Sequence, residues 1–101
     1  MSQASVLGTW YSTQWGPLTL TGTSERLSGH WDQGTEGTEE GQITAGIFNP
    51  ETGLLVFAYY QSWNDQHGAA GFILSADGSQ LVGSFAQPNG NNGSWILTRN
   101  R

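Results

Sequence analysis

The chain of 101 residues contains no cysteine and no lysine. Without cysteine there is neither a disulfide framework nor a thiolate metal site. Without lysine the strong cations are Arg26, Arg99 and Arg101, set against eight acids for a net charge of −5. Three scattered arginines cannot displace counterions from phosphates, so nucleic acid is not an expected partner. Attachment to an anionic membrane is excluded on the same ground. No long apolar run occurs, and the opening Met1-Ser2-Gln3-Ala4-Ser5 is not a basic, apolar leader. The sequence as given therefore reads as soluble and cytoplasmic, or as secreted if a leader was removed. Histidine is limited to His30 and His67. In a strand His30 faces opposite to Gly29 and Trp31 and so outward, while His67 falls in a turn. Neither comes with a nucleophile and acid in a recognisable motif, and two isolated imidazoles give no zinc spacing. Neither an enzyme nor a metal or cofactor site is expected.

Aromatic residues and glycine are abundant: five Trp, four Phe, three Tyr and 15 Gly. They recur together as a Gly-x-aromatic step, in Gly8-Thr9-Trp10, Gly29-His30-Trp31, Gly46-Ile47-Phe48, Gly83-Ser84-Phe85 and Gly93-Ser94-Trp95. In a strand this spacing puts both residues on one face, and the glycine makes room for a ring on the adjacent strand. Eight strand-like runs follow one another between turn residues: Leu7–Ser12, Leu18–Thr21, Leu27–Trp31, Gln42–Phe48, Leu54–Tyr60, Ala69–Leu74, Leu81–Ala86 and Gly93–Arg99. No window carries a 3.6-residue apolar period, and the connections are too short for parallel crossovers. The expectation is all-β: one domain over residues 1–101, a single eight-stranded antiparallel up-and-down β-barrel. Pairing of the run around Trp10 with that around Trp95 would close it.

Two stretches suggest function. The connection Asp32–Gly41 is polar and glycine-rich and holds four of the eight acids; it reads as a solvated loop, with a lid over one barrel mouth as the functional alternative. In Leu54–Tyr60 neighbouring residues alternate in and out, so one of Tyr59 and Tyr60 must face outward, and Val56 and Phe57 divide likewise. An outward apolar stripe of that size predicts self-association through the barrel wall, a homo-oligomer.

The runs also resemble a known family. Leu7-Gly8-Thr9-Trp10-Tyr11 resembles the "L-T-G-T-W-Y-N" opening strand of the avidin and streptavidin family, and Leu27-Ser28-Gly29-His30-Trp31 its third strand, "L-T-G-T-Y". Ile43–Phe48 is similar to its fourth, "L-x-G-R-Y", with one extra residue, and Leu97-Thr98-Arg99 to the "F-T-R" ending of the avidin branch. The resemblance implies an eight-stranded barrel that binds a small molecule in its mouth and assembles as a dimer or tetramer. It places Ser12, Trp31, Gln33, Tyr59 (or Tyr60), Phe85 and Trp95 at the ligand positions. In the wider lipocalin-like group it implies a structural pair, Trp10 with the Arg99 guanidinium over its ring. The polar ligand groups are poorly kept. Ser12 stands for an Asn, Trp31 for a Tyr, Gln33 for a Ser or Thr, and Trp95 for an Asp or Asn.

The resulting expectation is a non-enzymatic, avidin-like barrel with an aromatic-lined pocket and weak or absent biotin binding. Two alternatives stand beside it. One is a carbohydrate-binding module using Trp and Tyr beside amide side chains. The other is a filled barrel that serves as a protein-binding, inhibitory or assembly scaffold.

Overall fold

A computed structural model describes residues 5–12, 16–32, 40–63 and 65–99. They form eight strands: β1 (Gly8–Trp10), β2 (Leu18–Thr23), β3 (Arg26–Asp32), β4 (Glu40–Asn49), β5 (Leu54–Gln61), β6 (Gln66–Leu74), β7 (Gln80–Ala86) and β8 (Asn92–Thr98). Each pairs antiparallel with the next, giving one up-and-down sheet in sequence order. Short turns set this order. At 49–53 the Asn49 side chain accepts from the Glu51 N–H at 2.9 Å, and Gly53 takes φ +76°, where an L side chain would be strained. At 75–79 Asp77 Oδ1 accepts from both the Ser75 and Ser79 hydroxyls at 2.7 Å. Those bonds to an exposed carboxylate hold its pKa down at about 2, with the Ser79 bond the largest cause. His67, expected in a turn, lies in β6, because that strand begins three residues earlier than its apolar run suggests.

The expected closure is corrected. The sheet curls through 245° and is not a closed barrel. Among the described residues the chain just past β1 meets β8 at one bridge, Tyr11 with Thr98, whose two N–H···O contacts are 2.7 and 2.8 Å. β1 is three residues long and begins at Gly8 with φ +110°, so it has no length to ladder along the seven residues of β8. Side chains plug the seam instead. Trp10 is fully buried, and its indole N–H donates to the Val6 carbonyl at 2.9 Å. Arg99 lies over the ring with Cζ 4.1 Å from the centroid, donates Nε–H to Gly78 O at 3.1 Å, and also reaches the Ser5 and Leu7 carbonyls.

Alternation sorts every strand into an inner and an outer set. The inner set is apolar: Leu18, Leu20, Leu27, Trp31, Ile43, Phe48, Leu55, Phe57, Tyr59, Ala70, Phe72, Leu81, Trp95 and Leu97 are all buried in one core. Large inner residues face inner glycines across the sheet: Trp31 is paired with Gly41, Tyr59 with Gly68, and Trp95 with Gly83. A Cβ at Gly41 would overlap the Trp31 indole, and one at Gly68 the Tyr59 ring. A register shift in β4 between Ile43 and Ala45 leaves Thr44 and Ala45 both outward and bends the sheet.

Candidate functional site

The residues expected to line a pocket come together inside the sheet as a packed aromatic cluster. Trp31 meets Tyr59 edge-on at 5.2 Å and Trp95 at 5.5 Å, and Tyr59 meets Trp95 at 6.4 Å. Phe57 and Phe72 stack at 5.5 Å beneath them, and each also reaches Trp95, at 5.9 and 5.6 Å. Trp95 is the hub. Trp31, Tyr59 and Trp95 are each exposed by no more than 2%, which leaves no water-sized space against their rings. Packed edge-to-face contacts of this kind add roughly 0.5–1.5 kcal/mol per pair beyond burial.

The other expected ligand residues stand at the margin. Phe85 is half-buried with its ring 6.1 Å from Trp95, and Ser12 is half-buried just past the Tyr11–Thr98 bridge. Gln33 and most of the proposed lid lie outside the described residues. The choice between the neighbouring tyrosines is resolved: Tyr59 points in, while Tyr60 is on the outer side, where its hydroxyl donates to Asp65 at 2.8 Å and its ring lies 4.8 Å from His67. The Tyr59 hydroxyl donates to Gln87 Oε1 at 2.9 Å at the cluster's edge, and burial pushes its pKa up to about 12.

Trp63, Gln61 and Gln87 join this end without having been singled out in the sequence. Trp63 is half-buried with its ring 6.3 Å from Trp31, and Gln61 is buried on the inner face of β5. The signal was there for Trp63, a lone Trp in a polar turn. For the glutamines only the register identifies an inward amide.

The larger feature is on the opposite face. A groove of about 880 Å³ crosses the outer wall from β3 to β7. Its floor is small residues: Ala45, Ala58, Ala69 and Ala86, with Gly71 and Ser84 beside them. The register makes the four alanines neighbours on successive strands, Ala45 with Ala58, Ala58 with Ala69, and Ala69 with Ala86. Four residues further along the strands a second row runs parallel to them, from Leu54 to Ile73, Val82 and Ile96. With Ile47 and Val56 these six apolar residues are 44–57% exposed. The outward positions of β5–β8 carry no Asp, Glu, Lys or Arg. Alanine and glycine are poor strand formers on a solvated face. Their row leaves the backbone of β4–β7 open to close approach. Comparison with protein-family models, curated proteins and solved structures gives no match to the chain, so the avidin resemblance rests on strand motifs and strand order alone.

Proposed function

We propose that this protein is a non-enzymatic, filled barrel-like scaffold that works through its outer wall, binding protein rather than a small molecule in its interior. The observation that carries this reading is the mutual contact of Trp31, Tyr59 and Trp95. Residues placed as the walls of a pocket occupy its volume themselves. A hollow avidin-like mouth would require those rings to part, at the cost of several edge-to-face contacts and about 25 cal/mol for each Å² of apolar surface uncovered. Biotin would also find Trp95 and Trp31 where the family's polar groups stand, losing roughly 1–3 kcal/mol per missing hydrogen bond. The two histidines support the non-catalytic reading. Both lie on the outer face, three strands apart in the row His30, Gln42, Tyr60, His67, a separation of roughly 14 Å.

One observation favours a second reading. The open end carries half-buried Trp63 beside inward Gln61 and the Tyr59–Gln87 hydrogen bond, an aromatic–amide combination suited to a sugar ring. One experiment addresses both readings: thermal shift and titration calorimetry with biotin and with a panel of mono- and disaccharides. The filled scaffold gives no saturable heat and no rise in Tm. Saturable biotin binding that Trp31→Ala abolishes overturns it in favour of a hollow pocket. Saturable sugar binding that Trp63→Ala abolishes overturns it in favour of the carbohydrate module.

A further inference from the structure

Resting on the outer-wall reading, the geometry points to one kind of partner: an amphipathic α-helix of another protein, laid lengthwise along β6, with its apolar face on Ala69 and Gly71 and basic residues on its flanks. Gly71 singles out the place. Gly41, Gly68 and Gly83 are demanded by the fold, because a Cβ on any of them would overlap a neighbour. Of the strand glycines Gly71 alone has neither a positive φ nor a neighbour that a Cβ would crowd; the nearest atom would be Val56 Cγ1 at 3.6 Å, an ordinary contact. A glycine inside a strand costs about 0.5–1 kcal/mol against alanine, and close approach of another backbone is a reason to keep one. Small residues surround it: Ala69 on its own strand, Ala58 and Ala86 opposite Ala69, and Ser84 opposite Gly71. Taller side chains close this trough at both ends, with Leu54, Ile73 and Val82 in one row and Tyr60 beside His67 in the other.

The backbone decides what can lie there. β5, β6 and β7 each have a paired strand on both sides, so their N–H and C=O groups are taken up in the ladders. An extended peptide on this face would bury its own polar backbone without partners, whereas a helix brings its hydrogen bonds with it. Direction follows from the curl. The sheet turns through 245°, so a straight rod laid across the strands would lift off on either side, while one laid along β6 keeps contact over its length. The dimensions match. From His67 to Ile73 is roughly 20 Å, the length of about 13 helical residues, and β5 to β7 spans roughly 10 Å, the width of one helix. Glu25 and Arg26 line the β3 end of the groove, around the curve from β6, and stay outside this contact.

Charge sets the partner's flanks and its direction. Glu51 and Asp77 are exposed in the turns just beyond the row of Leu54, Ile73 and Val82. Arg99 touches the second of these turns at Gly78, but its guanidinium is turned onto Trp10 and three main-chain carbonyls. The positive N-terminal end of a helix therefore belongs at the Glu51–Asp77 end, with lysines or arginines beside its apolar stripe.

Titration calorimetry of the whole chain with a synthetic ~14-residue amphipathic helix of leucine, alanine and lysine tests the inference. A peptide of the same composition with its leucines dispersed around the helix is the control. The amphipathic peptide should bind saturably and the control should not. Gly71→Leu fills the trough and should weaken binding by roughly tenfold or more, yet melt no lower than wild type, since its Cβ has space. A purely structural role for Gly71 would instead lower Tm. Ala69→Arg should also weaken binding, Thr21→Leu on β2 should not, and Glu51→Gln should weaken it by about two- to fivefold in low salt. No saturable heat with up to ~0.5 mM peptide overturns the helix. Equal binding of the control, or binding indifferent to Gly71→Leu, reduces the effect to charge attraction and overturns it as well. If biotin and sugars also give no heat, the outer-wall scaffold then stands with a partner of another shape. Saturable ligand heat at the interior defeats the scaffold reading itself.

Discussion

Replacing Gly41 by alanine adds one methyl group where the interior is tightest. Gly41 faces Trp31 across the β3–β4 ladder, and its Cβ would fall inside the indole. The ring has nowhere to retreat, being 5.2 Å from Tyr59, 5.5 Å from Trp95 and 6.3 Å from Trp63. No left-handed φ accompanies this glycine, so the cost is steric. Overpacking of this kind costs about 2 kcal/mol. For a domain of about a hundred residues that lowers Tm by about 10 °C. The partner substitution makes the test specific. In a Trp31→Leu background the indole is gone, and adding the methyl at Gly41 should cost less than about 0.5 kcal/mol. Urea unfolding of the four proteins, followed by far-UV circular dichroism, closes the double-mutant cycle. A Gly41→Ala protein within about 0.5 kcal/mol of wild type would refute the packed interior. It would mean that Trp31 has room to move, which is what a ligand pocket needs.

The remaining expectations concern the seam and the titrating groups. Trp10→Ala should destabilise the fold by about 3–5 kcal/mol, and Arg99→Ala by about 1–2 kcal/mol, because only the second leaves the buried ring in place; urea melts check both. Folding raises the Tyr59 phenol from 10.0 to about 12, so its stabilisation is whole below pH 10 and fades as the pH rises through 12; Tyr59→Phe should flatten that alkaline loss in pH-dependent melts. The Asp77 carboxyl, lowered to about 2, should still be ionised at pH 3 by NMR titration, and a normal midpoint would deny the Ser75 and Ser79 hydrogen bonds.

How much of this could be read from the chain depends on which physical cause was local. The strands were legible because alternation and turn residues act over five or six residues, as in Leu18–Thr21 followed by Gly22. The Trp10–Arg99 contact was legible only through a family resemblance, since 89 residues separate its partners and no period links them. Closure was overestimated. The Gly-x-Trp steps at the two chain ends fix which face Trp10 and Trp95 occupy, but they do not fix how long the strands run, and β1 stops after three residues. The aromatic positions were legible as one inward set, but the choice between pocket wall and filling was not. Trp31, Tyr59 and Trp95 read equally well as walls or as filling, and the difference lies in ring-to-ring distances set by three different strands. Tyr59 and Tyr60 are adjacent and alike in chemistry; their neighbours across the ladder, Gly68 and His67, decide which ring has space to turn inward.

The outer wall was the least legible part, and the β4 bulge shows why. Counting by twos back from Phe48 puts Gly46 inward, Thr44 inward, and Ile43 and Gly41 outward. The extra residue at Thr44 and Ala45 resets the count, returning Ile43 to the core and Gly41 beneath Trp31. The one residue by which Ile43–Phe48 exceeds a five-residue strand motif is therefore what lets the interior fill. It also determines the far side of the sheet, because the bulge gives β4 two small outward groups in succession at the head of the alanine row. Ala45, Ala58, Ala69 and Ala86 are separated by 13, 11 and 17 residues, intervals that follow no period. Only turn lengths and the bulge bring them to one level. Filling the inside and lining up the small residues of the outer wall thus have a common cause in backbone register.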